Sequence, residues 1–124
     1  MSDRIEALKS LLAKVRSGDE IIAKDVWDAL SEGEGVHFAS VNFAFACKGS
    51  LDSAETFHNA FAPDYRWWVA HRLYWAQENR EVPCVTLVTG TPGIDLKVFS
   101  AFNDIPARAW VDAVLQIMIA ELSE

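Results

Sequence analysis

The sequence has few of the residues that would crosslink a fold or hold a metal. It contains two cysteines, Cys47 and Cys84, and neither lies in a Cys-x-x-Cys pair or at zinc spacing from a histidine. Both lie in apolar stretches, which favours buried free thiols in a reducing compartment and leaves a disulfide as the alternative. The histidines His37, His58 and His71 have no nucleophile paired with them locally. The sequence therefore predicts no metal, no cofactor and no catalytic residues.

Positive charge is also scarce. The chain has 11 basic and 18 acidic residues, which gives a formal net charge of −7. Binding to nucleic acid or to an anionic membrane surface normally needs a basic footprint, so this balance disfavours both. It is compatible with high solubility, with a basic protein partner, or with mimicry of a nucleic-acid backbone. Six acidic residues crowd positions 19–34, where a solvated helix face is the default interpretation.

Long apolar runs are missing as well. The longest uncharged stretches, 35–47 and 82–94, are too short and too interrupted by turns to span a bilayer. The first residues lead directly into a charged amphipathic pattern and do not resemble a signal peptide. We therefore expect a cytoplasmic protein. The length predicts one domain over residues 1–124, large enough to form a hydrophobic core without disulfides or a structural metal.

Three short motifs resemble known sites but lack essential parts. Gly33-Glu-Gly35 has no third glycine and no strand before it, so it does not predict a dinucleotide site. The segment 90–97 lacks the Gly-Lys-Ser/Thr end of a phosphate-binding loop. Glu55-Thr-Phe-His58 matches one Glu-x-x-His element, whereas a di-iron bundle needs two such elements and further glutamates. None of the three predicts a ligand.

The most informative stretch is the aromatic segment 66–76, which holds three of the five tryptophans. Read with the period of two that strands follow, it divides into two faces. One face is nearly all apolar and is predicted to face the core: Trp67, Val69, His71, Leu73 and Trp75. The other mixes arginines with aromatics: Arg66, Trp68, Ala70, Arg72, Tyr74 and Ala76.

Four residues of the second face, Arg66, Trp68, Arg72 and Tyr74, are the candidate binding residues. The terminal helices could cover this face, with the arginines reaching out along its rim. Aromatic and arginine side chains are also enriched at protein interfaces. A third interpretation is base stacking on single-stranded nucleic acid, which the acidity of the chain disfavours.

Helical spacing of apolar residues predicts four helices, over 3–16, 20–31, 51–61 and 105–122. Asp19 and Ser50 are predicted to cap the second and third helices, and Asn103 or Asp104 to cap the last, with Pro106 in its first turn. The last helix has a narrow polar stripe of Arg108, Asp112 and Gln116. Its apolar remainder should pack on the sheet and on a second neighbour, either another helix or a partner subunit. The candidate interface residues there are Trp110, Val114 and Ile117.

Strands are predicted over 41–47, 66–76, 82–89 and 94–100, while 36–40 is ambiguous. Pro83 indicates a strand end or an edge strand. Pro92-Gly93 suits a type II turn, and Ile94, Leu96 and Val98 should share one strand face. The predicted fold is α+β: a mainly antiparallel sheet of three to four strands with helices packed on it. Residues 36–100 supply the strands and one inserted helix.

Several stretches together resemble the phage ABA sandwich domain family, small uncharacterised proteins of phages and prophages. The similarity follows an opening amphipathic helix, then "IIAKDVWDAL", "FACKGSLDSAETF", "APDYRWWV" and "IPARAWVDAVLQIMIAEL". The chain departs from the family pattern at Leu30-Ser-Glu, where Gly-Trp is expected, and in the apolar segment 36–46. The resemblance implies a helix–sheet–helix sandwich and a phage or prophage origin. It implies no activity and no catalytic residues.

Three functional hypotheses follow. The first is a non-enzymatic accessory protein that binds a host or phage protein, or a second copy of itself as a homodimer. The second is a single-stranded nucleic-acid-binding module that uses Arg66, Trp68, Arg72 and Tyr74. The third is an enzyme of unrecognised type, which a deep pocket with converging polar groups and shifted pKa values would support.

Overall fold

The computed structural model describes residues 2–21, 23–30 and 36–123. These residues form five helices and a three-stranded antiparallel sheet in the order β1-β2-β3, so the predicted α+β class is confirmed. The predicted break at Gly33-Glu-Gly35 and the side chains of Trp27 and His37 lie outside the described residues. The elements are α1 (Ser2–Ser17), α2 (Ala23–Leu30), α3 (Val36–Cys47), α4 (Leu51–Phe61), β1 (Arg66–Trp75), β2 (Arg80–Thr89), β3 (Lys97–Phe102) and α5 (Pro106–Leu122).

Helix α5 is the centre of the fold. It contacts β2 and β3 on one side and α1, α3 and α4 on the others. Trp110, Val114 and Ile117 are all buried in this packing. The second neighbour predicted for this helix is therefore a set of helices of the same chain. The three residues proposed for a partner interface are therefore core residues. A partner could contact them only if α5 left the interior.

Two residues of the polar stripe of α5, Arg108 and Asp112, are buried, and the third, Gln116, is partly buried. Asp112 is only 2% exposed, and Arg16 of α1 donates two hydrogen bonds to its carboxylate, from Nε at 2.9 Å and from Nη2 at 3.3 Å. Gln116 Nε2 donates to the same carboxylate at 2.8 Å. Arg108 is also buried and donates from Nη2 to the Asp19 carbonyl at 2.9 Å. The stripe joins α5 to α1 and to the segment that follows α1.

The segment 36–47 is a single helix, and the strand predicted over 41–47 is wrong. Phe43, Ala46 and Cys47 are buried at helical spacing, while Val41 and Phe45 are exposed. A short apolar run fits both the strand and the helix period, and its length of 12 residues favours the helix. The helix ends where the Gly49 and Ser50 amides donate to the carbonyls of residues 46 and 45.

The predicted helix starts are confirmed in part. Ser50 caps α4 by accepting a hydrogen bond from the Ser53 amide at 3.1 Å, as predicted. Helix α2 begins at Ala23 rather than at residue 20, so Asp19 is too far from it to be its N-cap. Helix α5 begins at Pro106, as expected for a proline in the first turn, but its N-cap residue is Ile105 and no side chain caps it. Neither predicted cap of that helix, Asn103 or Asp104, occupies the N-cap position.

Pro83 lies inside β2 (Arg80–Thr89), the central strand, so both predicted positions, a strand end and an edge strand, are wrong. The register of β1 against β2 slips between Ala70 and Leu73, which pair with Cys84 and Val82. The two intervening residues of β1 therefore face Pro83 alone, which is a β-bulge. Because proline has no N–H to donate, a bulge opposite it avoids a missing ladder hydrogen bond. The Pro83 carbonyl accepts from the Asn103 amide at 3.1 Å.

The connection from β2 to β3 has the predicted turn. The Ile94 amide donates to the Thr91 carbonyl at 3.0 Å, and Gly93 has the positive φ of +81° that the third position of a type II turn requires. The strand predicted over 94–100 begins later, at Lys97, so Ile94 and Leu96 lie in the connection and do not share a strand face with Val98. In β3 itself, Ala101 is buried against the core and Phe99 is partly buried beside it, while Val98 is exposed.

Candidate binding cleft beside strand β1

Strand β1 occupies Arg66–Trp75, as the aromatic segment predicts, but the bulge divides its faces. Val69 pairs with Val85, which faces the core. Leu73 pairs with Val82, three residues away in β2, so Leu73 points to the opposite face from Val69. The predicted inward set is therefore correct for Trp67 and Val69, whose partners Leu87 and Val85 belong to the core. It is wrong for His71, which is exposed, for Leu73, which is 45% exposed, and for Trp75, which pairs with Arg80 on the face of Leu73.

The bulge also separates the four candidate binding residues, all of which are exposed. Trp68 pairs with Thr86 and Tyr74 with Glu81, and these partners lie on opposite faces of β2. Arg66 shares the face of Trp68, since it pairs with Val88. Arg72 lies in the bulge and forms an ion pair with Glu81 at 3.4 Å.

The separation of Trp68 from Tyr74 weakens the nucleic-acid hypothesis. A stacking platform for successive bases needs its aromatic rings on one surface. Tyr74 instead donates a hydrogen bond to Asn79 in the hairpin loop at 2.5 Å. The geometry leaves one arginine and one tryptophan, Arg66 and Trp68, on a common face.

A cleft of about 420 Å³ lies between the start of α4 and the part of β1 that runs up to the bulge residue His71. Three elements contribute to it. Helix α4 and strand β1 form the walls, and α5 supplies a buried tryptophan. The lining residues are Leu51, Asp52 and Glu55 from α4, Trp67, Trp68, Val69 and His71 from β1, and Trp110 from α5.

A hydrogen-bonded chain of rings fixes Trp110. The Trp110 indole Nε1–H donates to His58 Nδ1 at 3.1 Å, so Nδ1 carries no proton. His58 Nε2 then carries the proton and donates to the Tyr65 carbonyl at 2.9 Å. The Trp67 ring packs on Trp110 with centroids 4.4 Å apart. Both nitrogens of His58 are engaged, so this histidine holds the rings in place and is not free to act as a base.

Burial lowers the pKa of His58, and the hydrogen bond to the Tyr65 carbonyl and the charge of Glu55 only partly oppose that shift. The folded protein therefore disfavours protonated His58, whereas the unfolded chain takes up a proton near pH 6.5. Stability contributed by neutral His58 is fully present above that pH and falls as the solution is acidified toward the folded pKa.

We expect the melting temperature of the wild type to fall between pH 7.5 and pH 5, and to fall less in the variant His58→Gln. Glutamine offers the same donor and acceptor but has no charge to gain. Thermal melting followed by circular dichroism at several pH values measures the difference. An equal fall in both proteins would show that His58 does not contribute to the acid sensitivity.

Two carboxylates line the same cleft as the aromatic residues. Asp52 and Glu55 lie three residues apart on the exposed side of α4, and neither forms an ion pair with any described residue. Trp67 and Trp68 are 42% and 53% exposed. Aromatic faces attract cations, and carboxylates pair with them. The cleft is therefore suited to a cationic group such as a lysine or arginine side chain.

The two cysteines are buried and are not activated as nucleophiles. Burial raises the pKa of the Cys47 thiol to about 11, and burial likewise raises the pKa of Cys84. Both thiols are free and stay protonated at neutral pH. Within the described ranges, no three His, Cys, Asp or Glu side chains are arranged to hold a metal ion. None of the described helices combines the length and apolarity that crossing a bilayer requires.

Strand β1 is an edge of the sheet and pairs only with β2 in the described part of the chain. An edge strand directs alternate N–H and C=O groups away from its neighbour, which makes it a template for another strand. Proteins commonly protect such edges with charge, proline or a covering element. Here the bulge with Arg72 protects the second half of β1, while the half that holds Trp67 and Trp68 borders the cleft.

No known protein family, curated protein or solved structure matches the chain. The site is therefore interpreted from its own geometry.

Sequence reasoning identified β1 as a candidate surface but missed the part that α4 contributes. Asp52 and Glu55 were present in the sequence as polar positions of the helix capped by Ser50. A polar stripe on a surface helix normally faces solvent, and only the placement of α4 beside β1 brings these carboxylates to the tryptophans. His58 matched one Glu-x-x-His element and had no paired nucleophile, and neither signal predicts its bond to Trp110, which joins residues 52 positions apart.

Proposed function

We propose that the protein is a non-catalytic accessory protein that binds a partner protein by receiving an extended segment of it along the first half of β1. The observation that carries this proposal is an edge strand with two large, exposed tryptophans beside an open cleft. Addition of a strand to a sheet edge supplies main-chain hydrogen bonds, and pockets beside the edge select side chains. The arrangement of β1 and α4 offers both.

The outer face of the sheet supports the same interpretation. Trp68 and Val98, on the two edge strands, are each more than half exposed. The hydroxyls of Thr86 and Ser100 on the same face form a hydrogen bond at 3.1 Å. Large exposed apolar side chains that lie close together commonly mark interaction surfaces. A partner segment on β1 would extend the sheet and cover Trp68.

The proposed class of partner follows from the resemblance to the phage ABA sandwich domain family. We propose a phage or prophage accessory protein whose partner is a host or phage protein, with a second copy of this chain as the alternative. The net charge of −7 is complementary to a basic partner.

Site-specific photocrosslinking tests where the partner binds. We expect the variant His71→p-benzoylphenylalanine, irradiated in cells that produce it, to form a discrete adduct whose mass identifies the partner. His71 is exposed and lines the cleft, so its substitution does not disturb the core. The matched control is Ala13→p-benzoylphenylalanine, an exposed position on α1.

Three results are informative. An adduct at position 71 that is absent at position 13 supports binding at β1. An adduct of twice the chain's own mass identifies a second copy as the partner. Equal labelling at both positions, or no adduct at position 71, would contradict the proposal.

A further inference from the structure

We propose that the cleft between α4 and β1 selects a lysine or arginine side chain of the bound segment, so that the partner carries a basic residue within an extended stretch. This inference rests on the proposed function, because it specifies the ligand of the same surface. The selection of a basic side chain depends on the residues that line the cleft, whereas strand addition depends on the edge of β1.

The cleft offers two kinds of group that recognise a cation. The first is the pair of carboxylates, Asp52 and Glu55, which have no ion-pair partner among the described residues. The second is the exposed surface of Trp67, whose ring packs on Trp110. A methylene stem can lie on an indole while the charged end reaches a carboxylate, as long basic side chains do at interfaces.

The surroundings of the cleft strengthen this preference. The arginines of β1 are occupied elsewhere: Arg66 Nη2 donates to the Gly90 carbonyl at 3.4 Å, and Arg72 pairs with Glu81. None of the described residues that line the cleft is a lysine or arginine. An acidic side chain of a ligand would therefore meet two carboxylates without a compensating cation, which disfavours it through like-charge repulsion.

The cleft has room for a lysine or arginine side chain to enter from the surface. Its volume of about 420 Å³ is open to solvent, and Trp110, held by His58, is fixed within its lining. A rigid aromatic surface reduces the entropy lost when a flexible lysine or arginine stem is ordered. The strand backbone of the ligand would remain outside, along β1.

Binding of short peptides, followed by tryptophan fluorescence, tests the inference. The probes are four seven-residue peptides of alternating threonine and valine that differ only at the centre, which is lysine, arginine, norleucine or glutamate. We expect the lysine and arginine peptides to bind about tenfold more tightly than the glutamate peptide. The affinity of the norleucine peptide should lie between those of the basic peptides and the glutamate peptide. The preference should shrink as salt is raised from 50 to 300 mM, because the carboxylates are exposed.

The double variant Asp52→Asn/Glu55→Gln should lose most of this preference, so that the lysine and glutamate peptides bind within about twofold of each other. The matched control is Glu6→Gln/Glu121→Gln, which removes two exposed charges away from the cleft and should retain the preference. All four carboxylates are exposed, and melting curves would verify that both double variants remain folded.

The outcomes separate this inference from the proposed function. Equal binding of all four peptides to the wild type would overturn the selection of a cation while leaving strand addition at β1 intact. Preference for lysine that persists in Asp52→Asn/Glu55→Gln would overturn the assignment to this cleft. If no peptide binds but photocrosslinking at position 71 yields an adduct, the cation inference fails and the protein-binding function stands.

Discussion

Replacement of Trp110 by alanine is expected to lower the free energy of unfolding by about 4 kcal/mol, the range for truncating a large buried aromatic side chain. Trp110 is 2% exposed and belongs to the core cluster that α5 organises. Its loss would leave a cavity beneath Trp67 and would remove the donor to His58 Nδ1. The cavity and the lost hydrogen bond both lower the stability. The second does so because His58 Nδ1 would remain a buried acceptor without a donor.

Urea denaturation measures this effect, and two further variants divide it. Trp110→Phe keeps an aromatic ring but has no N–H, so it should cost about 1–3 kcal/mol, the range for leaving a buried acceptor unpaired. Trp68→Ala, at a position 53% exposed, should cost no more than about 1 kcal/mol. Equal losses for Trp110→Ala and Trp68→Ala would show that Trp110 does not organise this part of the core.

The variant Arg16→Met is expected to destabilise the protein by about 3 kcal/mol, the low end for removing one partner of a buried ion pair. Asp112 is 2% exposed and would retain only the hydrogen bond from Gln116. The low end applies because the Arg16 side chain is itself 54% exposed, so water can approach the pair from that side.

Removal of both charges separates the cost of an unpaired carboxylate from the value of the pair. The double variant Arg16→Met/Asp112→Leu should recover most of the lost stability, since no buried charge remains. The control Lys24→Met breaks the exposed pair between Lys24 and Asp28 and should cost less than about 0.5 kcal/mol. A double variant that is less stable than Arg16→Met alone would contradict this account of the α1–α5 contact.

Much of the fold could be predicted where local signals agree. Helices α1, α4 and α5 have sustained apolar periodicity, and Ser50 and Pro106 mark two of their starts. The strands β1 and β2 follow from β-branched and aromatic runs with turn residues between them. In each case the sequence period, the end signal and the packing favour the same structure.

The segment 36–47 could not be assigned because its composition is apolar on every side. Its alternating large and small residues fit a strand, and the same residues fit a helix that buries Phe43 and Ala46. The deciding contact is tertiary: the Phe43 ring packs edge-on against Phe57 of α4 at 5.2 Å. Only the arrangement of α3 against α4 distinguishes the two periods.

The faces of β1 could not be predicted because a bulge reverses the alternation of side chains. Pro83 was recognised as incompatible with a regular central strand, and two solutions exist for such a residue, an edge position or a bulge in the partner. The chain uses the second. That choice exposes Leu73, separates Tyr74 from Trp68, and leaves the first half of β1 as the surface beside α4.

The candidate site combines residues that lie far apart in the sequence. The tryptophans of β1 were noticeable because two adjacent indoles in a strand place one ring on each face. The carboxylates of α4 had no such signal, since exposed acids are common on helices. Their role in the cleft depends on how α4 packs against α5, which brings the start of α4 to the edge of the sheet.

Hydrogen exchange of the β1 amides, with and without saturating lysine-centred peptide, tests the central claim most directly. Strand addition predicts that the outward-facing amides among residues 66–70, on the side of β1 without a strand partner among the described residues, become protected when the peptide binds. Amides of the exposed α1 surface should not change. Protection confined to other elements, or peptide binding that leaves the β1 amides unprotected, would contradict the proposal that this edge receives the partner.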